Sequence, residues 1–274
     1  MNKRIKSYGF NIIIWLVAGI TAGILVLIIG FILLKGIPGI NAEFLTKEPE
    51  MMGEKGGIFS ILIGTLYVTL AAIVIATPIG VAAAVYFTEY SKEGKGIKII
   101  RFFTEVLAGI PSIIFGLFGF AFFVVFAGMG WSVIAGGMTL AMMILPTVIR
   151  TCEESLNEVP VAYREASLAL GASKLETIYK VVLPCCKQGI LTGVLLGIGR
   201  AIGETACIML TVGGSLNLAK SIFDPTRTMA LHLYMLACEG ISEKNTYATA
   251  ALLVIIILAI NLIANRVASK EGGR

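Results

Sequence analysis

An all-α integral membrane protein with six transmembrane helices is the fold class that three features of this 274-residue sequence predict. Hydrophobic residues make up 57% of the chain and charged residues only 14%, with a mean hydropathy of +0.90. An ordinary soluble domain is about 45–50% apolar and about 25% charged. Apolar runs long enough to cross a bilayer, which takes roughly 20 residues each, recur at 11–34, 58–87, 103–127, 131–149, 189–214 and 247–265. Only helices or closed barrels satisfy every backbone polar group in lipid, and runs of this length read as helices. The third feature is the distribution of basic residues. With both termini on one side, that side holds fifteen of the 22 Lys and Arg residues, the opposite side holds six, and Arg200 lies inside a span. Positive charge accumulates on the cytoplasmic side, so both termini are expected there. The net charge of +5 follows from that bias and calls for no nucleic-acid partner.

Lys3, Arg4 and Lys6 precede the first apolar run in the manner of a signal peptide. The run is too long, however, and no small-residue cleavage site follows, so a retained first span is expected. Residues 1–57 are expected to comprise this N-terminal helix and an extracytoplasmic loop, and residues 58–267 a five-helix core. The loop at 88–102 carries alternating charges that suit a short amphipathic helix at the interface. Pro111 falls inside the third run and should kink or interrupt it, as a packing feature or as part of a gate. Gly116, Gly119, Gly128, Gly130, Gly136 and Gly137 suit close packing around a hairpin between spans three and four. Residues 150–188 form the longest cytoplasmic segment, and Arg150 with Glu153 and Glu154 marks its boundary. Residues 215–246 lie outside, with Met229–Cys238 too short to span.

Several chemistries find no support. The five cysteines lack both a disulfide framework and zinc-site spacing, and His232 has no ligand partners at suitable spacing, so no metal site is expected. No Gly-x-x-x-x-Gly-Lys-Ser/Thr loop is present, and no nucleophile–base constellation points to an enzyme. If ATP drives this protein, another polypeptide must bind it.

Two segments do carry chemistry. The first is cytoplasmic. Pro160 fits the first turn of a short helix, Ala162, Ala166, Ala169 and Leu170 favour helix, and Gly171 suits the left-handed position that ends one. Ser173 with Glu176 then forms a capping box, and Pro184 bounds the second helix. Helix, sharp turn, helix is expected. The second segment is Gly197-Ile198-Gly199-Arg200-Ala201-Ile202-Gly203-Glu204-Thr205-Ala206 in the fifth span. Arg200 and Glu204 stand four residues apart, on one face of a continuous helix. A mid-bilayer arginine costs at least about 2.5–3.5 kcal/mol. The two charges therefore either pair to sit in lipid together or line a path. In a path, the planar guanidinium fork matches an oxyanion, Glu204 keeps the anion from being held too tightly, and Thr205 adds a hydroxyl.

Glu165-Ala166-Ser167, three residues, Gly171, nine residues, then Val181-Val182-Leu183-Pro184 resembles the EAA loop of permeases in ATP-binding-cassette (ABC) importers. Arg200–Ala206, Gly109–Gly116 and Leu145–Thr151 resemble segments of phosphate ABC importer permeases, PstA-type more than PstC-type. One departure is Cys207 where that family has Pro. The resemblance implies a subunit that dimerises with a PstC-like permease, in the inner membrane of a prokaryote. It also implies two PstB-like ATPases, which would use ATP and Mg while this chain holds no cofactor, and a PstS-like phosphate-binding protein. Glu165, Ala166, Ser167, Gly171 and Ser173 would dock the ATPase; Arg200, Glu204 and Thr205 would line the phosphate pathway. A permease for sulfate or molybdate, or an ATP-independent transporter, are the alternatives.

Overall fold

A computed structural model describes residues 2–91 and 94–269. Among them, four helices are long and apolar enough to cross a membrane: Ile13–Gly39, Phe59–Tyr90, Val133–Glu158 and Glu243–Val267. Two bent pairs complete six spans if each pair counts as one. We number the elements α1 (Asn2–Gly36), α2 (Phe59–Val85), α3 (Lys95–Gly109), α4 (Ser112–Gly119), α5 (Val133–Glu158), α6 (Val161–Ala169), α7 (Lys174–Thr177), α8 (Lys187–Ile202), α9 (Ala206–Met209), α10 (Met229–Glu239) and α11 (Glu243–Ser269). Helix α2 continues into a π turn at Tyr86–Tyr90, α4 into another at Phe120–Phe126, and α7 into a third at Ile178–Val182.

The centre of the molecule is the α2–α5 pair. Val68, Ala72 and Ala76 pack with Leu140, Ile144, Ile208 and Val212 in one buried cluster. Lower down, Ala84 packs with Val148, Cys152 and Leu156. Small side chains on α2 let the two helix backbones approach closely, which replaces the missing hydrophobic drive between helices in lipid. Helix α1 stands apart: it meets α11 at its outer end, where Lys35 Nζ lies 2.9 Å from Glu243 Oε1.

Three of the expected spans differ in detail. The third is not one helix over 103–127. Helices α3 and α4 meet at 101°, because Ile110, preceding Pro111, is extended (φ −70°, ψ 134°), as the proline ring demands of its predecessor. Residues 103–109 therefore belong to the amphipathic α3. The fourth span runs past 149 to Glu158 and carries Pro146 inside it. Arg150, Glu153 and Glu154 thus sit on a helical extension, where Arg150 Nε lies 3.1 Å from Glu154 Oε1 and Glu153 pairs with Arg101 of α3. They line a cavity of about 350 Å³ between α3 and α5.

The fifth span is the third correction. Helix α8 ends at Ile202 rather than near 214, and the chain turns through Gly203–Thr205 into the four-residue α9. Outside the spans, Thr228 caps α10 through its hydroxyl, and Gly240 ends it at φ 63°.

Candidate functional site

Two regions hold the residues singled out from the sequence. In the one between the fourth and fifth spans, Pro160 is the cap that precedes α6 rather than a residue of its first turn. The α6 end is a Schellman motif. Gly171, at φ +86°, directs its N–H to Leu168 O (3.0 Å), and Ala172 N–H reaches Ser167 O (3.2 Å). Both bonds satisfy carbonyls that the helix end would leave unpaired.

The capping box follows at once. Ser173 N–H donates to Glu176 Oε2 at 3.0 Å, and Glu176 N–H donates to Ser173 Oγ at 3.3 Å. These bonds from Ser173, with Lys180 beside them, lower the Glu176 pKa to about 2. Ser167 Oγ lies 2.9 Å from Thr177 Oγ1 and ties the two helices together. The second helix does not stop at Pro184. It passes through the π turn to Cys185 and bends by 66° into α8, because π turns and prolines bend helices without ending them.

Helix α6 buries none of its residues. Glu165 and Ala166 are exposed, and so are Val161, Tyr163, Leu168, Leu170, Leu175 and Tyr179, with Leu170 at 89%. Large apolar side chains left exposed in this number on one short hairpin suit an interaction site.

Arg164 is the residue in this region that sequence reasoning passed over as one more basic charge. Its Nε and Nη2 reach Glu89 Oε1 at 2.9 and 2.8 Å. Nη1 donates to Val159 O (2.6 Å) and Nη2 to Leu156 O (2.9 Å). One guanidinium thus joins α6 to the inner ends of both α2 and α5. The available signal was a lone basic residue inside this short helix; its partner lies 75 positions away in the chain.

In the membrane region, Arg200 and Glu204 do not share a helix face. Arg200 occupies the last turn of α8, is exposed, and donates from Nη1 to Thr147 Oγ1 at 3.2 Å. Glu204 lies beyond the helix end and accepts the Cys207 N–H at 3.1 Å. It thereby satisfies a free donor at the start of α9, as side-chain caps do. The ion pairs among the described residues do not include Arg200–Glu204. The glycines nearby serve helix packing: a Cβ on Gly197 would lie 3.5 Å from Ile73 and Val148, and one on Gly116 only 2.8 Å from Cys207 O. The Arg200 head group is exposed beside the break in the fifth span. Thr205 lies in the turn of that break and is half-buried.

His232 is buried with Nδ1 3.4 Å from Arg227 Nη1; burial first, and then the Arg227 charge, push its pKa down to about 4. Among the described residues, no group of three or more His, Cys, Asp or Glu could hold a metal ion.

Known proteins match along most of the chain. The chain is 32% identical over 280 residues to the "Probable ABC transporter permease protein YqgI" of Bacillus subtilis (strain 168), covering 96% of this chain and 95% of that one. It is 35% identical to the "Phosphate transport system permease protein PstA" of Haemophilus influenzae, covering 83% and 81%. Among solved structures, a bacterial alginate ABC transporter matches with a TM-score of 0.64 at 13% identity, covering 98% and 95%. An inward-facing MetNI methionine ABC transporter matches with a TM-score of 0.61 at 23% identity, covering 78% and 94%. At such identities these two establish the fold. The family described as "Binding-protein-dependent transport system inner membrane component" matches residues 76–269, and the chain belongs to that family.

Proposed function

We propose that this chain is the PstA-type permease subunit of an ATP-driven importer of inorganic phosphate. The observation that carries the coupling half of the reading is the α6–α7 turn. It is locked by a Schellman motif and a capping box, yet presents Glu165, Ala166 and a run of large apolar side chains outward. A turn so rigidly built and so uncovered suits a partner that pushes on it, here a PstB-like ATPase supplying ATP hydrolysis. The phosphate half is supported by the PstA relatives and by the exposed guanidinium of Arg200. A planar fork of donors matches phosphate oxygens, and its place at a helix break leaves it accessible.

In this reading both termini and the α6–α7 turn are cytoplasmic. A PstC-like permease completes the pathway, and a PstS-like protein delivers phosphate from outside. Closure of the ATPases moves α6, and the helices behind it rock between inward- and outward-facing states. Arg200 meets the anion, while Glu204 shapes the break rather than neutralising Arg200. Passage needs binding strong enough to enter and weak enough to leave, and a single exposed guanidinium meets that condition.

Reconstitution of this chain with the PstC-like permease, the ATPase and the binding protein in liposomes tests the reading. ATP-dependent phosphate uptake, competed by arsenate but not by sulfate or molybdate, is expected. Preferential uptake of sulfate or molybdate would reassign the cargo, and gradient-driven uptake without the ATPase would sink the importer.

A further inference from the structure

The second half of the hairpin is anchored in the core, where Val182 packs with Ala84, Val148 and Leu156, but its first helix is held to the rest of the chain by few contacts. Helix α6 buries no side chain, and the Ser167–Thr177 bond ties it only to its own hairpin partner. Besides the apolar packing of Val182 near Ala84, two contacts involving charged groups tie the hairpin to the π turn Tyr86–Tyr90: Arg164 pairs with Glu89, and Lys174 Nζ lies 4.7 Å from the Tyr90 ring centre. The Glu89 carboxylate is nearly sealed from solvent (9%), and the Arg164 head is largely so (19%). A buried pair of this kind adds little net stability, because desolvation offsets the attraction. What it does fix is geometry. The guanidinium is a rigid fork, and here its three nitrogens address α2 and the ends of α5 together.

Helix α2 then leads outward. Its 27 residues span about 40 Å at 1.5 Å per residue. At its far end Ser60 Oγ donates to Leu216 O at 2.6 Å, and Thr65 Oγ1 accepts the Met229 N–H at 2.9 Å. A Cβ on Gly64 would strike Thr226 Oγ1 at 2.3 Å, so α2 and the 215–229 segment are in direct contact. Helix α2 is one unbroken element from Phe59 to Val85, with Pro78 inside it, and packed chains of this kind are one route by which distant sites can be coupled.

We propose that Glu89 and Arg164 are the positioning pair through which displacement of the docking turn is carried along α2 to the extracytoplasmic segment 215–229. This rests on the reading of α6–α7 as an ATPase dock. The pair sits behind the turn, so changing it should leave docking intact and separate hydrolysis from transport. π turns recur at functional sites, and here the wide turn aims Glu89 at α6.

The test uses the complete importer in liposomes, with Glu89→Gln and Arg164→Lys in this chain. Three quantities are read: ATPase subunit retained on purification, ATP hydrolysis with and without the phosphate-loaded binding protein, and phosphate moved per ATP. Both variants should retain the ATPase and continue to hydrolyse ATP. Phosphate moved per ATP, and stimulation by the loaded binding protein, should each fall at least about fivefold, the lower end of a coupling energy between sites. Unchanged stoichiometry and stimulation would overturn the inference while leaving the dock in place. Loss of assembly in both variants would assign the pair to folding and overturn it too. If the wild-type chain neither retains an ATPase nor imports with ATP, the docking reading itself fails, which these readouts distinguish.

Discussion

Gly171→Val isolates the docking turn more cleanly than any other single change. The residue holds φ +86°, and an added Cβ would meet nothing within 4 Å. The substitution therefore creates no clash with neighbours, and its whole cost is backbone strain. A side chain in the left-handed region costs about 1–2 kcal/mol, more for a β-branched residue, to which that region is a true outlier. An energy of that size lowers the population of the Schellman turn by about 5–30-fold. Two controls sharpen the reading. Gly171→Asn keeps a residue that tolerates this conformation, so it should behave close to wild type. Gly240→Val imposes the same strain, at φ 63° and also in open space, but at the end of α10, far from the dock. The assay is the ratio of ATPase subunit to permease after detergent extraction and affinity purification, followed by ATP-dependent uptake. Loss in Gly171→Val alone is expected. Normal retention and uptake in Gly171→Val, or an equal loss in Gly240→Val, would refute the assignment of the turn as the dock.

Four further outcomes are expected. Arg200→Gln should abolish phosphate uptake while thermal stability stays within about ±0.5 kcal/mol, because the head group is exposed and gives up one hydrogen bond; wild-type uptake would make it structural. Gly116→Ala should destabilise the permease by about 1–3 kcal/mol in a thermal unfolding assay, since the new Cβ would press on the Ala206 and Cys207 carbonyls. A membrane-impermeant maleimide should label exposed Cys238 in right-side-out vesicles and exposed Cys185 in inverted ones, with buried Cys152, Cys186 and Cys207 spared; the reverse pattern would invert the topology. The Glu176 carboxyl is held below its ordinary value of 4.5, at about 2. The capping box is therefore complete above 4.5 and is lost only as pH falls through about 2. ATPase retention should stay flat from about pH 8 to pH 6, and a rise or fall there would implicate another titrating group.

Local chemistry explains what could be read early and what could not. The α6–α7 hairpin was legible because each device in it is short-range: Gly171 acts within five residues, and Ser173 and Glu176 cap each other three positions apart. Arg164 was not legible as a clamp, since no local rule relates it to Glu89. The fifth span misled for a related reason. Arg200 and Glu204 have ideal helical spacing, but Glu204 takes the Cys207 N–H instead, and a side chain that satisfies the backbone locally competes with helix continuation.

The amino-acid sequence by itself determined that the chain is a helical membrane protein of about six spans, and that the hairpin between the fourth and fifth spans is tightly turned. Hydropathy, basic-residue bias and capping need only neighbours in the chain or the bilayer as solvent. The tertiary structure alone decided that α3 lies across α4, that the fifth span breaks beside Arg200, and that one half-buried guanidinium joins α6 to α2 and α5. Those outcomes depend on which distant backbone and side-chain groups meet, and proximity in space is set by packing rather than by spacing along the chain.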